Sequence, residues 1–96
     1  MRAGHKAAIA RISGRVQGVS FRVWTRAEAT KLGLTGWVRN ESDGSVTALI
    51  VGSETAVSAL AKKLWTGPAG ASVSNVTFEV IDLKEEPTSF RITTTG

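Results

Sequence analysis

The 96-residue chain contains no cysteine. Without thiols it can form no disulfide bond, no thiolate metal site and no cysteine nucleophile. Its single histidine, His5, lies near the N-terminus, so neither a phosphohistidine nor a histidine base for a serine nucleophile is indicated. Histidine and carboxylate residues nowhere show the spacing of metal ligands. The sequence therefore predicts a protein without a bound metal ion or other cofactor.

Long apolar runs are also missing. No stretch approaches the roughly 20 apolar residues that span a bilayer, and the basic N-terminus leads into a strand-like pattern that contains Arg11. We therefore expect a cytoplasmic protein with no membrane partner. No repeat, linker or low-complexity tract divides the chain, so residues 1–96 are expected to form a single domain, with a flexible N-terminus at 1–6. We also expect a monomer.

Positive charge outweighs negative charge and is concentrated early in the chain. The net charge is +4, and the first acidic residue, Glu28, is preceded by a run of basic residues that includes Arg11, Arg15, Arg22 and Arg26. A basic balance of this kind favours anionic partners, such as nucleic acid, phosphate esters or acyl phosphates.

Periodic segments predict an α+β fold. Strand patterns cover 7–14, 35–40, 45–51 and 76–83, with a short strand at 90–92, and helical patterns cover 21–33 and 54–65. This order is typical of the split βαβ, ferredoxin-like sandwich. We expect a mainly antiparallel sheet of four to five strands with two helices on one face, which also explains the period-two strands.

The segment over residues 14–22 reads GRVQGVSFR and joins the first strand to the first helix. A helix N-terminus carries partial positive charge, so Arg22 at that position is unfavourable unless an anion lies beside it. Backbone N–H groups of the loop, a helix start and an arginine together predict an anion site, most simply for phosphate. The pattern is neither a Walker A loop nor a dinucleotide fingerprint. The alternative is a plain connection whose glycines serve only tight turns.

The predicted topology gives this loop a partner. In a split βαβ unit the first two strands run parallel with the third between them. The C-terminal ends of the first and second strands therefore lie at the same end of the sheet. Asn40, which ends the second strand, is then expected roughly 10 Å across the sheet from the loop. The alternative is an asparagine that bonds only its own turn.

The chain resembles the acylphosphatase family. The resemblance rests on GRVQGVSFR, on GWVRN at 36–40 followed by Asp43-Gly44, on the helix end at 32–34 and on Gly67-Pro68, and it covers nearly the whole chain. It implies a ferredoxin-like fold and metal-independent hydrolysis of the carboxyl–phosphate anhydride of acyl phosphates. Small-molecule acyl phosphates and inorganic phosphate are then the expected partners, without nucleic acid.

The resemblance also implies roles for particular residues. Arg22 would bind the phosphate and Asn40 would position the attacking water. The phosphate would also be cradled by the backbone of the loop, that is, by Arg15, Val16, Gln17, Gly18, Val19 and Ser20. Ser20 stands at a position that varies in the family and is often glycine.

Two other classes of function stay open from the residues themselves. One is a noncatalytic anion- or RNA-binding module of the same fold, and the other is an anion-binding domain within a larger regulatory or carbamoyl-phosphate-handling protein. RNA-binding modules of this kind stack bases on aromatic side chains of the central strands, and the strands at 7–14 and 45–51 contain no aromatic residue.

Overall fold

The computed structural model describes residues 4–94. Along the chain the elements are β1 (His5–Arg15), α1 (Phe21–Lys31), β2 (Thr35–Asn40), β3 (Val46–Ser53), α2 (Glu54–Leu64), β4 (Ser72–Ile81) and β5 (Phe90–Ile92). This order is the one that the periodic segments predict.

The strands form one sheet in the order β4-β1-β3-β2-β5. All neighbouring pairs are antiparallel except β2 and β5, which are parallel. Because β3 is antiparallel to both β1 and β2, those two strands run in the same direction. In register, Ile12 of β1 lies opposite Val46 of β3, which lies opposite Asn40 of β2. The ferredoxin-like fold with its five-stranded sheet is thereby confirmed.

Both helices pack against one face of the sheet through residues at helical spacing. The face of the sheet is apolar at every second residue, and the helices cover it with one stripe each, so that burial follows from the period of each element. The buried residues of the two helices are Phe21, Thr25, Ala29, Val57, Leu60 and Leu64. The hydroxyl of Ser53 accepts a hydrogen bond from the Ala56 amide at 3.2 Å and caps α2, as its position predicts.

The opposite face of the sheet carries a smaller apolar cluster. Leu49 and Val51 are buried there, packed with Trp37, Ile81 and Leu83 of the same chain. From the sequence alone, Leu49, Val51 and Ile9 fit either a dimer contact or simple strand propensity, with strand propensity favoured. In the structure they find apolar partners within their own chain.

The N-terminal strand begins earlier than its pattern predicts. His5 and Lys6, assigned above to a flexible N-terminus, are paired with Ser53 and Gly52 of β3. His5 also contacts Glu86, with 2.6 Å between Nδ1 and Oε1. That part of the prediction is wrong because strand pairing uses backbone groups, which the polar side chains of this segment do not reveal. Residues 1–3 lie outside the described residues.

The fourth strand also differs from its prediction. It begins at Ser72, whereas its pattern predicts 76, and it ends at Ile81. The extension pairs with the end of β1 beyond an irregularity between Ser13 and Gly14, so its backbone is bonded although Val73 is the single apolar residue among 72–75.

The start of β2 allows only glycine at one position. Gly36 has φ 138°, and a Cβ atom there would lie 1.9 Å from the carbonyl oxygen of Leu49 on β3. Gly33, at the end of α1, also has positive φ but has no atom within 4 Å of such a Cβ. A substitution at Gly33 therefore tests the cost of the backbone conformation alone, whereas a substitution at Gly36 adds the cost of a clash between strands.

We expect Gly36→Ala to lower the free energy of unfolding by at least about 3 kcal/mol, because β2 and β3 must separate to admit the methyl group. Gly33→Ala should cost only about 1 kcal/mol, the penalty of the left-handed conformation alone. Urea denaturation of both variants measures the difference. Equal losses would contradict the close approach of the two strands.

Candidate active site

The connection between β1 and α1 is held in an unusual backbone conformation. Gly18 has φ 75° and Ser20 has φ 62°. Within residues 4–94, Ser20 is the only non-glycine residue with positive φ, a conformation that costs roughly 1–2 kcal/mol. Ser20 occupies the N-cap of α1 without a side-chain capping bond, and the first turn contains no acidic residue. The helix therefore begins with N–H groups that no capping side chain satisfies.

The loop, the helix start and the end of β2 together line a pocket of about 330 Å³. Most of the predicted site residues meet here, including both residues expected to be catalytic, Arg22 and Asn40. The complete lining is Val16, Gln17, Gly18, Ser20, Phe21, Arg22, Val23 and Asn40.

Two of the predicted loop residues do not line the pocket. Arg15 is exposed at the end of β1, where it pairs with Ser72 of β4. Val19 is half-buried and packs against the main core. The charge of Arg15 is thus peripheral to the pocket.

Arg22 is half-buried as a residue, and its guanidinium forms no ion pair or hydrogen bond with any residue in 4–94. Two other arginines have acidic partners. Arg11 contacts Asp43 at 3.0 Å, and Arg39 contacts Glu41 at 3.0 Å. Arg22 therefore combines an uncompensated positive charge with a place beside the uncapped start of a helix.

Asn40 precedes a turn that is firmly braced. In that turn Asp43 accepts hydrogen bonds from the Ser45 amide at 2.9 Å and from the Ser45 hydroxyl at 2.6 Å. These bonds, with the nearby Arg11 guanidinium, hold the pKa of the Asp43 carboxyl far below its usual range. Asn40 is thus fixed both by strand pairing and by the turn that follows.

Comparisons with known proteins agree on one family. A sequence model of the acylphosphatase family matches residues 8–92. The chain is 65% identical to the acylphosphatase of Rhizobium etli over 83 residues, which is 86% of this chain and 88% of the relative. The chain belongs to the acylphosphatase family. It is therefore a hydrolase whose substrates are acyl phosphates and whose product is inorganic phosphate.

Solved acylphosphatase structures share the whole fold. The acylphosphatase of Coxiella burnetii superposes with a TM-score of 0.90 at 40% identity and covers 94% of both chains. That of Bacillus subtilis gives a TM-score of 0.89 at 32% identity, with 92% of this chain and 98% of the other covered. The topology derived above is therefore the topology of acylphosphatases.

Glu41, the residue after Asn40, carries the carboxylate closest to Asn40 in sequence. The Thr47 hydroxyl and the Arg39 guanidinium beside it lower the pKa of the Glu41 carboxyl, so it is a weaker base than an ordinary glutamate. Arg39 is itself positioned over the ring of Trp37, 4.7 Å from the ring centre. Glu41 is thus bound to the outer face of the sheet and is poorly suited to accept a proton in an acylphosphatase site.

One feature of the site has no signal in the sequence. The side chain of Gln17, which the sequence assigns only a backbone role, donates hydrogen bonds from Nε2 to the carbonyl oxygens of Glu41 at 2.8 Å and Ser45 at 2.9 Å. These contacts join residues more than twenty positions apart, and their acceptors are backbone groups, so no side-chain pattern reveals them.

A second groove, of about 370 Å³, lies at the start of β2 against Trp37, Pro87 and Arg91.

Within residues 4–94, no helix is long and apolar enough to cross a membrane.

Proposed function

We propose that Arg22 and the backbone N–H groups of the loop between β1 and α1 hold the phosphoryl group of an acyl phosphate while Asn40 orients the attacking water. The observation that carries this proposal is the guanidinium of Arg22, which is unpaired among residues 4–94 and lines the same pocket as Asn40. A cation at the positive end of a helix is explained if an anion binds there during function.

Arg22 suits a phosphoryl group because a guanidinium donates two parallel hydrogen bonds to two oxygens of one phosphate. The unsatisfied N–H groups at the start of α1 and in the loop approach the same anion from the backbone. Together these donors neutralise charge on the equatorial oxygens, where charge is spread in the transition state of phosphoryl transfer.

Asn40 suits the water because its amide both donates and accepts hydrogen bonds and carries no charge. It positions the water in line with the bond between phosphorus and the acyl oxygen, but it accepts no proton. Since the carboxylate of Glu41 is held by Arg39 at 3.0 Å, we assign the proton of the water to a phosphoryl oxygen of the substrate.

The reaction balances without further groups. The water oxygen forms a bond to phosphorus, the bond from phosphorus to the acyl oxygen breaks, and the electron pair leaves with the carboxylate. Because a carboxylate is a good leaving group, the site needs neither an acid catalyst nor a metal ion for this step.

A monomeric state, a cytoplasmic location and the absence of nucleic-acid partners stay predictions from the sequence.

We expect Arg22→Ala to abolish measurable hydrolysis of benzoyl phosphate in the presence of EDTA, because the charge that holds the phosphoryl group is lost. Circular dichroism should show an unchanged fold, since Arg22 has no partner within residues 4–94. Arg26→Ala is the matched control, because it removes the same charge one helical turn away, at an exposed position. Turnover by a folded Arg22→Ala variant, or equal loss in both variants, would contradict the role of Arg22.

We expect Asn40→Ala to lower kcat by roughly 10²–10³, the scale for losing one preorganised group, with a much smaller effect on the inhibition constant of inorganic phosphate. Asn75→Ala, an exposed asparagine of β4, is the matched control and should retain kcat. Steady-state kinetics with phosphate as a competitive inhibitor measure both constants. Full kcat in Asn40→Ala would show that the water has another partner.

A further inference from the structure

Gln17 connects the two halves of the active site. Its Nε2 atom donates to the carbonyl oxygens of Glu41 at 2.8 Å and Ser45 at 2.9 Å. Those two residues close the turn after Asn40, since the Glu41 amide donates to the Ser45 carbonyl at 2.8 Å. One side chain of the loop therefore holds both ends of the turn that follows Asn40.

The orientation of this side chain is dictated by chemistry. Both of its partners are carbonyl oxygens, which only accept, so the NH₂ group of the amide must face them and not the oxygen. Each N–H of that group has one acceptor. A glutamate would have nearly the same size at this position, but its carboxylate would face two carbonyl oxygens and repel them.

The contact matters because β1 and β2 are not neighbours. β3 separates them in the sheet, so strand pairing joins the loop to the end of β2 only indirectly, through β3. Arg11 also reaches the turn, through Asp43 at 3.0 Å, but both of these side chains are more than half exposed. Gln17 is half-buried, lines the pocket and belongs to the same loop that leads into Arg22.

We propose that Gln17 is a positioning residue, whose side chain holds Asn40 at the distance from the loop and Arg22 that water attack requires. This inference rests on the proposed roles of Arg22 and Asn40 and adds the group that sets their separation. Displacement of a reacting group by about 1 Å can cost on the order of 10²-fold in rate, so a partial loosening of the turn is expected to lower kcat by about tenfold.

Loss of stability cannot by itself distinguish this role from a purely structural one. Two hydrogen bonds to half-buried carbonyl groups stabilise a fold wherever they occur. The two roles differ in their dependence on Asn40, because a residue that acts through Asn40 has nothing to position once the Asn40 amide is removed.

The test is a double-mutant cycle. Gln17→Ala and Gln17→Glu are made in the wild-type chain and in Asn40→Ala, and kcat for benzoyl phosphate and the inhibition constant of inorganic phosphate are measured below the melting temperature of every variant. We expect each Gln17 substitution to lower kcat about tenfold in the wild-type chain and less than twofold in Asn40→Ala. The inhibition constant should change less than twofold, because the backbone N–H of residue 17 is retained. Arg11→Ala, which frees the turn from its exposed contact only, is the control and should keep kcat within twofold.

Three results would overturn the proposal. They are an unchanged kcat in both Gln17 variants, an equal loss of kcat with and without Asn40, and an equal loss in Arg11→Ala. If Asn40→Ala alone keeps full kcat, the proposed function fails and this inference fails with it. If Asn40→Ala loses activity but the effect of Gln17 persists undiminished, only the positioning role is wrong.

Discussion

The position of β3 between β1 and β2 is the constraint on which the active site depends. Antiparallel pairing of β3 with both neighbours forces β1 and β2 to run in the same direction, so the loop after β1 and the residue that ends β2 reach one edge of the sheet. The register of the strand pairs then sets how far along the strand direction the loop and Asn40 lie from each other. A slip of β2 by one residue would move the Asn40 side chain to the opposite face of the sheet and turn the buried side chains of the strand outward. The apolar face that holds the core together is therefore also what aligns the site.

The site itself works against stability. Ser20 adopts a left-handed conformation, and Arg22 places a cation at the positive end of a helix without an acidic partner within residues 4–94. Both features are costly in the free protein. If the pocket holds a phosphoryl group as proposed, the anion offsets the second cost, and its binding then stabilises the folded chain by mass action.

Much of this arrangement is predictable from the sequence, for identifiable reasons. Alternating side chains define the central strands, helical stripes define both helices, and their order restricts the topology so strongly that Asn40 is expected at the edge that holds Arg22. The segments that escape prediction are those held by backbone groups. The paired His5 and Lys6, and the early start of β4 at Ser72, have side chains without apolar alternation. The bonds from Gln17 to the next turn escape prediction for the same reason, because their acceptors are carbonyl oxygens far away in the chain.

The loop between β1 and α1, together with Arg22, is the phosphate site that we propose. The most direct measurement is a titration of the ¹⁵N-labelled protein with inorganic phosphate, followed by amide chemical shifts and by the Nε–H resonance of Arg22. We expect saturable shifts that are largest at residues 16–20 and at Arg22, with Asn40 next, as this phosphate site requires. Shifts that cluster instead in the groove of Trp37 and Arg91, and leave the loop unchanged, would contradict it.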